Sequence, residues 1–153
     1  MRKQPNSHYC FICGRRSPIG LKMSFYSTAP GEVMAEHVVP DDYQGYPGVV
    51  HGGVTAAMLD ETAGRTVLAN GDDQFYMTLK LEIKYRKPVP TETMLRIIGR
   101  LETTRSRRAT ARSEIQLQDG TILAEARAVL VEVPASLLDT ADPDALGWMI
   151  QDD

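Results

Sequence analysis

Basic residues are too few for a general nucleic-acid binder: 17 Lys and Arg stand against 20 Asp and Glu, for a formal net charge of −3, whereas such domains are normally basic. Long apolar runs are missing as well. None approaches the roughly 18 residues that a membrane-spanning helix needs, and the N-terminus has no charged segment leading into an apolar signal core. The expectation is therefore a cytoplasmic protein with neither nucleic acid nor membrane as partner. Cysteine occurs twice, in the single motif His8-Tyr9-Cys10-Phe11-Ile12-Cys13-Gly14. A zinc site needs four ligands, and one CxxC with His8 supplies at most three, although a symmetric dimer could bring two pairs together. A thioredoxin-like role would need a βαβ context, which the chain lacks. A reduced structural pair, a shared metal site and redox chemistry stay open, and the expectation is no bound metal and no cofactor.

What the chain does have fits one globular domain: 153 residues, 42% hydrophobic and 24% charged, enough for a sizeable core. Its centre is the run from His51-Gly52-Gly53 through Asp60 and Glu61 to about Asn70. From Val54 to Ala69 this run is rich in Ala, Leu, Val and Met on every side, and a helix apolar all round is normally buried. The two glycines leave the first helical N–H groups unshielded at the positive end of the macrodipole, where a carbonyl or oxyanion can be received. In so apolar a segment the carboxylate of Asp60 needs an interior partner, a wet cleft or a second chain. Against this stands the plainer reading, in which Asp60 and Glu61 form the solvated edge of the helix.

Residues 1–20 read as an arm, 21–133 as the domain and 134–153 as a tail. Leu21, Met23 and Phe25 alternate with polar neighbours, which predicts a strand, and a second follows at Glu32–Val39, with His37 as an ordinary strand residue. Pro40 ends it, and a loop rich in Tyr, Gly and Pro leads to His51. Beyond the helix, Asn70-Gly71 is a left-handed stop. Phe75, Met77, Leu79, Leu81, Ile83 and Tyr85 then alternate with polar residues, predicting a strand with one core face and one solvent face. Three more strands are legible at Thr93–Thr103, Arg107–Gln118 and Thr121–Val133, the last two joined at Asp119-Gly120 by an expected type I′ turn. An antiparallel sheet can bury a single apolar helix only by curling round it, and its leftover edges predict pairing with another chain. The fold class is α+β, a curled antiparallel sheet around one long central helix: a hotdog.

The run His51-Gly52-Gly53 followed by Asp60, and the strand from Thr78 that closes Tyr85-Arg86-Lys87-Pro88, resemble the hotdog-fold acyl-CoA thioesterases of the phenylacetate-degradation (PaaI-like) branch. Cys10-Phe11-Ile12-Cys13-Gly14 through Pro18-Ile19-Gly20-Leu21, together with Gln44-Gly45-Tyr46-Pro47-Gly48, is similar to a CxxCG-containing subgroup of that branch. The likeness spans about residues 10–133. It implies an enzyme that hydrolyses an acyl-CoA to a free acid and coenzyme A, as a homodimer or dimer of dimers.

By that resemblance the thioester carbonyl would accept from the amides at Gly53 and Gly52, and His51 would hold the turn. Asp60 of the partner subunit would attack the carbonyl or activate water, and Thr78 would help position that water, although the alternation puts Thr78 on the face opposite Leu79. Arg105-Ser106-Arg107-Arg108 would grip the coenzyme, with Arg86 and Lys87 as secondary candidates. Many relatives carry Asn six residues before the motif His, where this chain has Gly45; Gln44 is the nearest substitute. The alternatives are a non-catalytic acyl-CoA-binding dimer and a hotdog hydratase or dehydratase.

Overall fold

The computed structural model describes residues 1–71, 74–138 and 146–151. Its strands are β1 (Arg2–Lys3), β2 (Tyr26–Ala29), β3 (Glu32–Val38), β4 (Tyr76–Tyr85), β5 (Met94–Arg105), β6 (Arg108–Gln116) and β7 (Ile122–Glu132), with helices α1 (Gly52–Ala69) and α2 (Ala135–Leu138). One sheet, fully antiparallel, runs in the order β1-β2-β3-β5-β6-β7-β4. Helix α1 packs against β3, β5, β6, β7 and β4, so the sheet curls round it as expected of a hotdog. Inward residues of the sheet such as Val33, Leu95, Ile97, Ile115 and Leu130 are buried, as are Met58, Leu59, Ala63 and Val67 of the helix. At Gly99 sheet and helix come so close that a Cβ would stand 2.8 Å from the Thr62 carbonyl oxygen. No helix among the described residues is long and apolar enough to cross a membrane.

Four local expectations change. The stretch from Leu21 to Phe25 is not a ladder strand, since β2 begins only at Tyr26. Leu21, Met23 and Phe25 are nevertheless buried, because their backbone bonds go singly to the arm: Leu21 N–H to Phe11, Met23 N–H to Ile12, and the Phe25 carbonyl to Gln4. The Asp119-Gly120 turn is not type I′. Only Gly120 has positive φ, at 88°, and its N–H donates to Leu117 O at 3.0 Å, which makes a three-residue loop ending in a left-handed glycine.

The third change concerns β4, whose alternation breaks at a bulge. Thr78 pairs with Leu130, but Lys80 pairs with the next residue, Val129, leaving Leu79 as the extra. Downstream of the bulge Leu81, Ile83 and Tyr85 oppose Ala128, Ala126 and Ala124, all inward. Upstream of it Thr78 opposes inward Leu130, so Thr78 shares the helix-facing side with Leu81 while Met77 and Leu79 are 46% and 57% exposed. The fourth concerns α1, which is covered on one face only: Ala56, Ala57, Asp60, Glu61, Gly64 and Leu68 form a half-buried stripe at helical spacing.

The arm is held down by Asn6, which bridges to Met149, and by Gln4, whose side chain donates to the Arg65 carbonyl. Of the apolar tail residues, Trp148 meets Phe75 edge to face at 5.4 Å between ring centres. Residues 139–145 of the tail lie outside the described residues.

Candidate functional site

His51 caps α1 with its own ring: Nδ1 accepts from the Gly53 N–H at 2.9 Å. This fixes the glycine turn, and it also occupies one of the two amides expected to receive a carbonyl. The Gly52 N–H has no partner among the described residues, while the Gly52 carbonyl accepts from the Tyr85 hydroxyl at 2.8 Å. The turn thus offers one unsatisfied donor at the positive end of an 18-residue helix, in a cavity of ≈ 430 Å³ lined also by Gly45, Tyr85, Arg86 and Lys87. Gly45 lies directly against this turn, where a Cβ would be 3.3 Å from His51 Cα. Gln44 does not reach over in its place, because its Oε1 accepts from the Gly48 N–H within the loop.

Asp60 is elsewhere. Eight residues along the helix at 1.5 Å each put it about 12 Å beyond Gly52, in a separate cavity of ≈ 540 Å³ lined by Asp60, Glu61, Cys10, Cys13, Arg65, Met77, Thr78 and Trp148, among others. There its Oδ1 accepts from the Thr78 hydroxyl at 2.5 Å, a contact that exists only because the β4 bulge turns Thr78 inward. Adjacent Glu61 faces another way, to Arg65 Nε at 2.9 Å and Cys10 Sγ at 3.7 Å. The two carboxylates of the sequence are therefore not one solvated edge: each has a partner of its own.

The Arg105–Arg108 turn joins β5 to β6 and is exposed throughout, with Ser106 at φ 52°. Arg108 opposes Val131, which opposes Met77, so two strand spacings of about 4.8 Å separate the turn from the Asp60 end of β4. Arg107 Nε lies 3.4 Å from Glu132. Of the secondary candidates, Arg86 is committed to Glu125 at 2.8 Å.

One chain therefore gathers Asp60, Thr78 and the arginine turn at one end, and His51, Gly52, Gly53, Gln44 and Tyr85 at the other. Residues 47–124, just over half the chain, match the model of the thioesterase superfamily. The chain belongs to the thioesterase superfamily. Among curated members of the superfamily, it is 32% identical over 91 residues to mouse acyl-coenzyme A thioesterase THEM4, covering 59% of this chain and 38% of that one. It is 30% identical over 110 residues to the rat protein of the same name, covering 71% and 46%. The chain thus spans less than half the length of these two curated relatives. Among solved structures, the thioesterase superfamily protein RHA08564 aligns with TM-score 0.75 at 27% identity, covering 81% of this chain and 63% of that one. The smu.793 protein of Streptococcus mutans UA159, solved bound to acetyl CoA, shares the fold at TM-score 0.66 and 22% identity, covering 72% and 88%.

Two features escaped the sequence reading. Tyr85 belongs by alternation to the core face of its strand and opens the Tyr85-Arg86-Lys87-Pro88 motif, and nothing in its surroundings signals the bond to Gly52. Arg65 was not singled out, yet it is 2% exposed and stacked over Phe25 at 4.5 Å and Trp148 at 5.2 Å. Its spacing of four from Glu61, on a helix otherwise apolar, is the signal that could have found it. The thiols of Cys10 and Cys13 are both free. The hydrogen bond from Cys10 is the main reason that Cys13 is lowered to about 7, while the same bond, burial and the charge of Glu61 push Cys10 up.

Proposed function

We propose that the chain hydrolyses acyl-CoA thioesters, as a homodimer or dimer of dimers whose sites each combine the glycine turn of one protomer with Asp60 of the other. The observation that carries this reading is the separation of about 12 Å between Gly52 and Asp60 along one helix. A carbonyl polarised at the first cannot be attacked from the second within one chain. Two further features support a partner: the half-buried stripe on α1, and the exposed apolar Met77 and Leu79 on the terminal strand of the sheet, where unpaired backbone invites a second copy. The curated relatives named acyl-coenzyme A thioesterases support the substrate class, as do solved proteins of this fold holding acetyl CoA or coenzyme A.

In this reading the Gly52 N–H donates to the thioester oxygen and stabilises the charge that develops there. Asp60 acts as nucleophile or as base toward water, its free oxygen aimed by the Thr78 hydroxyl on the other. Arg105, Arg107 and Arg108 supply the positive charge that the coenzyme's phosphates require of an acidic protein. The location is the cytoplasm, a reducing compartment that keeps the two thiols free.

The test is release of free thiol from a panel of acyl-CoAs. Turnover is expected for the unaltered chain, with a loss of roughly a hundredfold or more in Asp60→Asn, in line with removal of a positioned base. Glu61→Gln is expected to stay within severalfold, since that carboxylate points to Arg65 and Cys10. Thiol release from none of the panel, or full activity in Asp60→Asn, overturns the reading.

A further inference from the structure

We propose that Cys10, Cys13 and Glu61 hold a zinc ion that fastens the N-terminal arm to α1. One ligand atom from each residue lies within 4.8 Å of the other two, and the Cys10 Sγ to Glu61 Oε2 separation is 3.7 Å. With Zn–S near 2.3 Å and Zn–O near 2.0 Å, a tetrahedral ion sets S···O at about 3.5 Å and S···S at about 3.8 Å. The Cys10–Glu61 separation is close to the first of these already, and the other pairs lie within 4.8 Å.

The turn around the sulfurs aims two backbone donors at one of them. The N–H groups of Ile12 and Cys13 both donate to Cys10 Sγ at 3.3 Å, as backbone amides do toward a negatively charged acceptor. Tightness of the turn explains the glycine that follows it: a Cβ on Gly14 would stand 2.5 Å from both the nitrogen and the carbonyl oxygen of Cys10. Glu61 is aimed from behind, since Arg65 Nε holds Oε1 at 2.9 Å and leaves Oε2 facing the sulfurs, an outer-shell arrangement typical of metal carboxylates. Charge closes as well. Two thiolates and one carboxylate balance the divalent ion together with the buried guanidinium of Arg65.

Thiolate donors with a carboxylate in a four-coordinate cluster suit zinc better than the oxygen-seeking ions. His8 is not among the donors, for its ring sits against Gly147, where a Cβ would meet it at 2.2 Å. Three protein ligands leave the fourth position to water from the cavity that Asp60 and Thr78 also line. Sequence alone offers only His8 beside the two cysteines, because Glu61 lies 51 residues from Cys10 and only the fold brings it in.

The experiment needs no substrate. The reduced full chain is titrated with Co²⁺, displaced with Zn²⁺, dialysed and analysed for metal. The expected result is a thiolate-to-cobalt charge-transfer band, intense visible bands of tetrahedral cobalt, and one zinc retained per chain. Cys10→Ser and Cys13→Ser are expected to lose the band. Glu61→Gln keeps both sulfurs, and its affinity is expected to fall by more than the roughly ten- to hundredfold seen when an outer-shell partner is lost. Absence of the charge-transfer band from the folded, unaltered protein overturns the proposal. So does undiminished metal affinity in Glu61→Gln or in the doubly substituted Cys10→Ser, Cys13→Ser chain.

Discussion

The hydroxyl of Thr78 donates to the carboxylate of Asp60 at 2.5 Å, joining β4 to the middle of α1. It leaves the other carboxylate oxygen to face the cavity, and a hydrogen bond to a charged group contributes about 1.5–3 kcal/mol. Thr78→Val keeps the volume and removes the donor. In the thiol-release assay its kcat is expected to fall roughly tenfold with KM nearly unchanged, since the bond orients the attacking group and does not hold the substrate. Thr78→Ser, which retains the hydroxyl, is expected to recover most of that loss. Equal kcat in Thr78→Val and the unaltered chain would remove Thr78 from the mechanism.

The arginine turn is expected to act on binding alone. Phosphate contacts far from the carbonyl hold ground and transition states equally, so Arg107→Ala and Arg108→Ala raise KM for acyl-CoA severalfold while kcat stays within about twofold. Arg108 is expected to matter more, because Glu132 shares the charge of Arg107. A thioester of truncated pantetheine, lacking the nucleotide phosphates, should be indifferent to both substitutions. If it responds as the full coenzyme does, the turn is not the phosphate grip.

At Gly99 the strand backbone presses against the helix with no room for a side chain, and its test is one of stability. In Gly99→Ala the added methyl meets the Thr62 oxygen at 2.8 Å, Thr66 Cγ2 at 2.9 Å and Val33 Cγ1 at 2.9 Å, so strands and helix must part. Overpacking of this kind costs about 2 kcal/mol, which for a chain of this size lowers Tm by roughly 4–8 °C. An unchanged melting temperature would show that the helix has room to shift.

Much of this architecture was legible in the sequence, and the gaps have physical causes. The Gly52–Ala69 helix, its glycine start and its Asn70-Gly71 stop follow from composition and end signals, and β5, β6 and β7 follow from alternation. The inward side of Thr78 did not, because period-2 reading assumes an unbroken strand, and a bulge at Leu79 inverts the phase without any Gly or Pro to announce it. For the same reason the alternation assigns Met77 and Leu79 to the core, whereas both are exposed. Likewise the segment of Leu21, Met23 and Phe25 has a strand's pattern, yet the arm, not a neighbouring strand, covers it. Asp60 stood out as a carboxylate in apolar company. Glu61 looked like its solvated neighbour, since no local signal ties a residue at 61 to a cysteine at 10.

Complementation between two inactive chains shows whether one protomer polarises the thioester while the other attacks it. Gly52→Pro deletes the Gly52 N–H at the first helical position, where proline is well tolerated. His51 already has φ −55° and ψ 136°, a conformation that a following proline accepts, and a Cβ at Gly52 meets the Tyr85 ring no closer than 3.7 Å. Asp60→Asn and Gly52→Pro are each expected to be inactive alone. Co-expressed, half of the dimers are hybrids in which the intact glycine turn of one chain faces the intact Asp60 of the other, so the mixture should regain roughly a quarter of the unaltered activity in a twofold-symmetric dimer. Hybrid dimers present by mass spectrometry but without activity would contradict that division of roles and place both groups of each site on one chain.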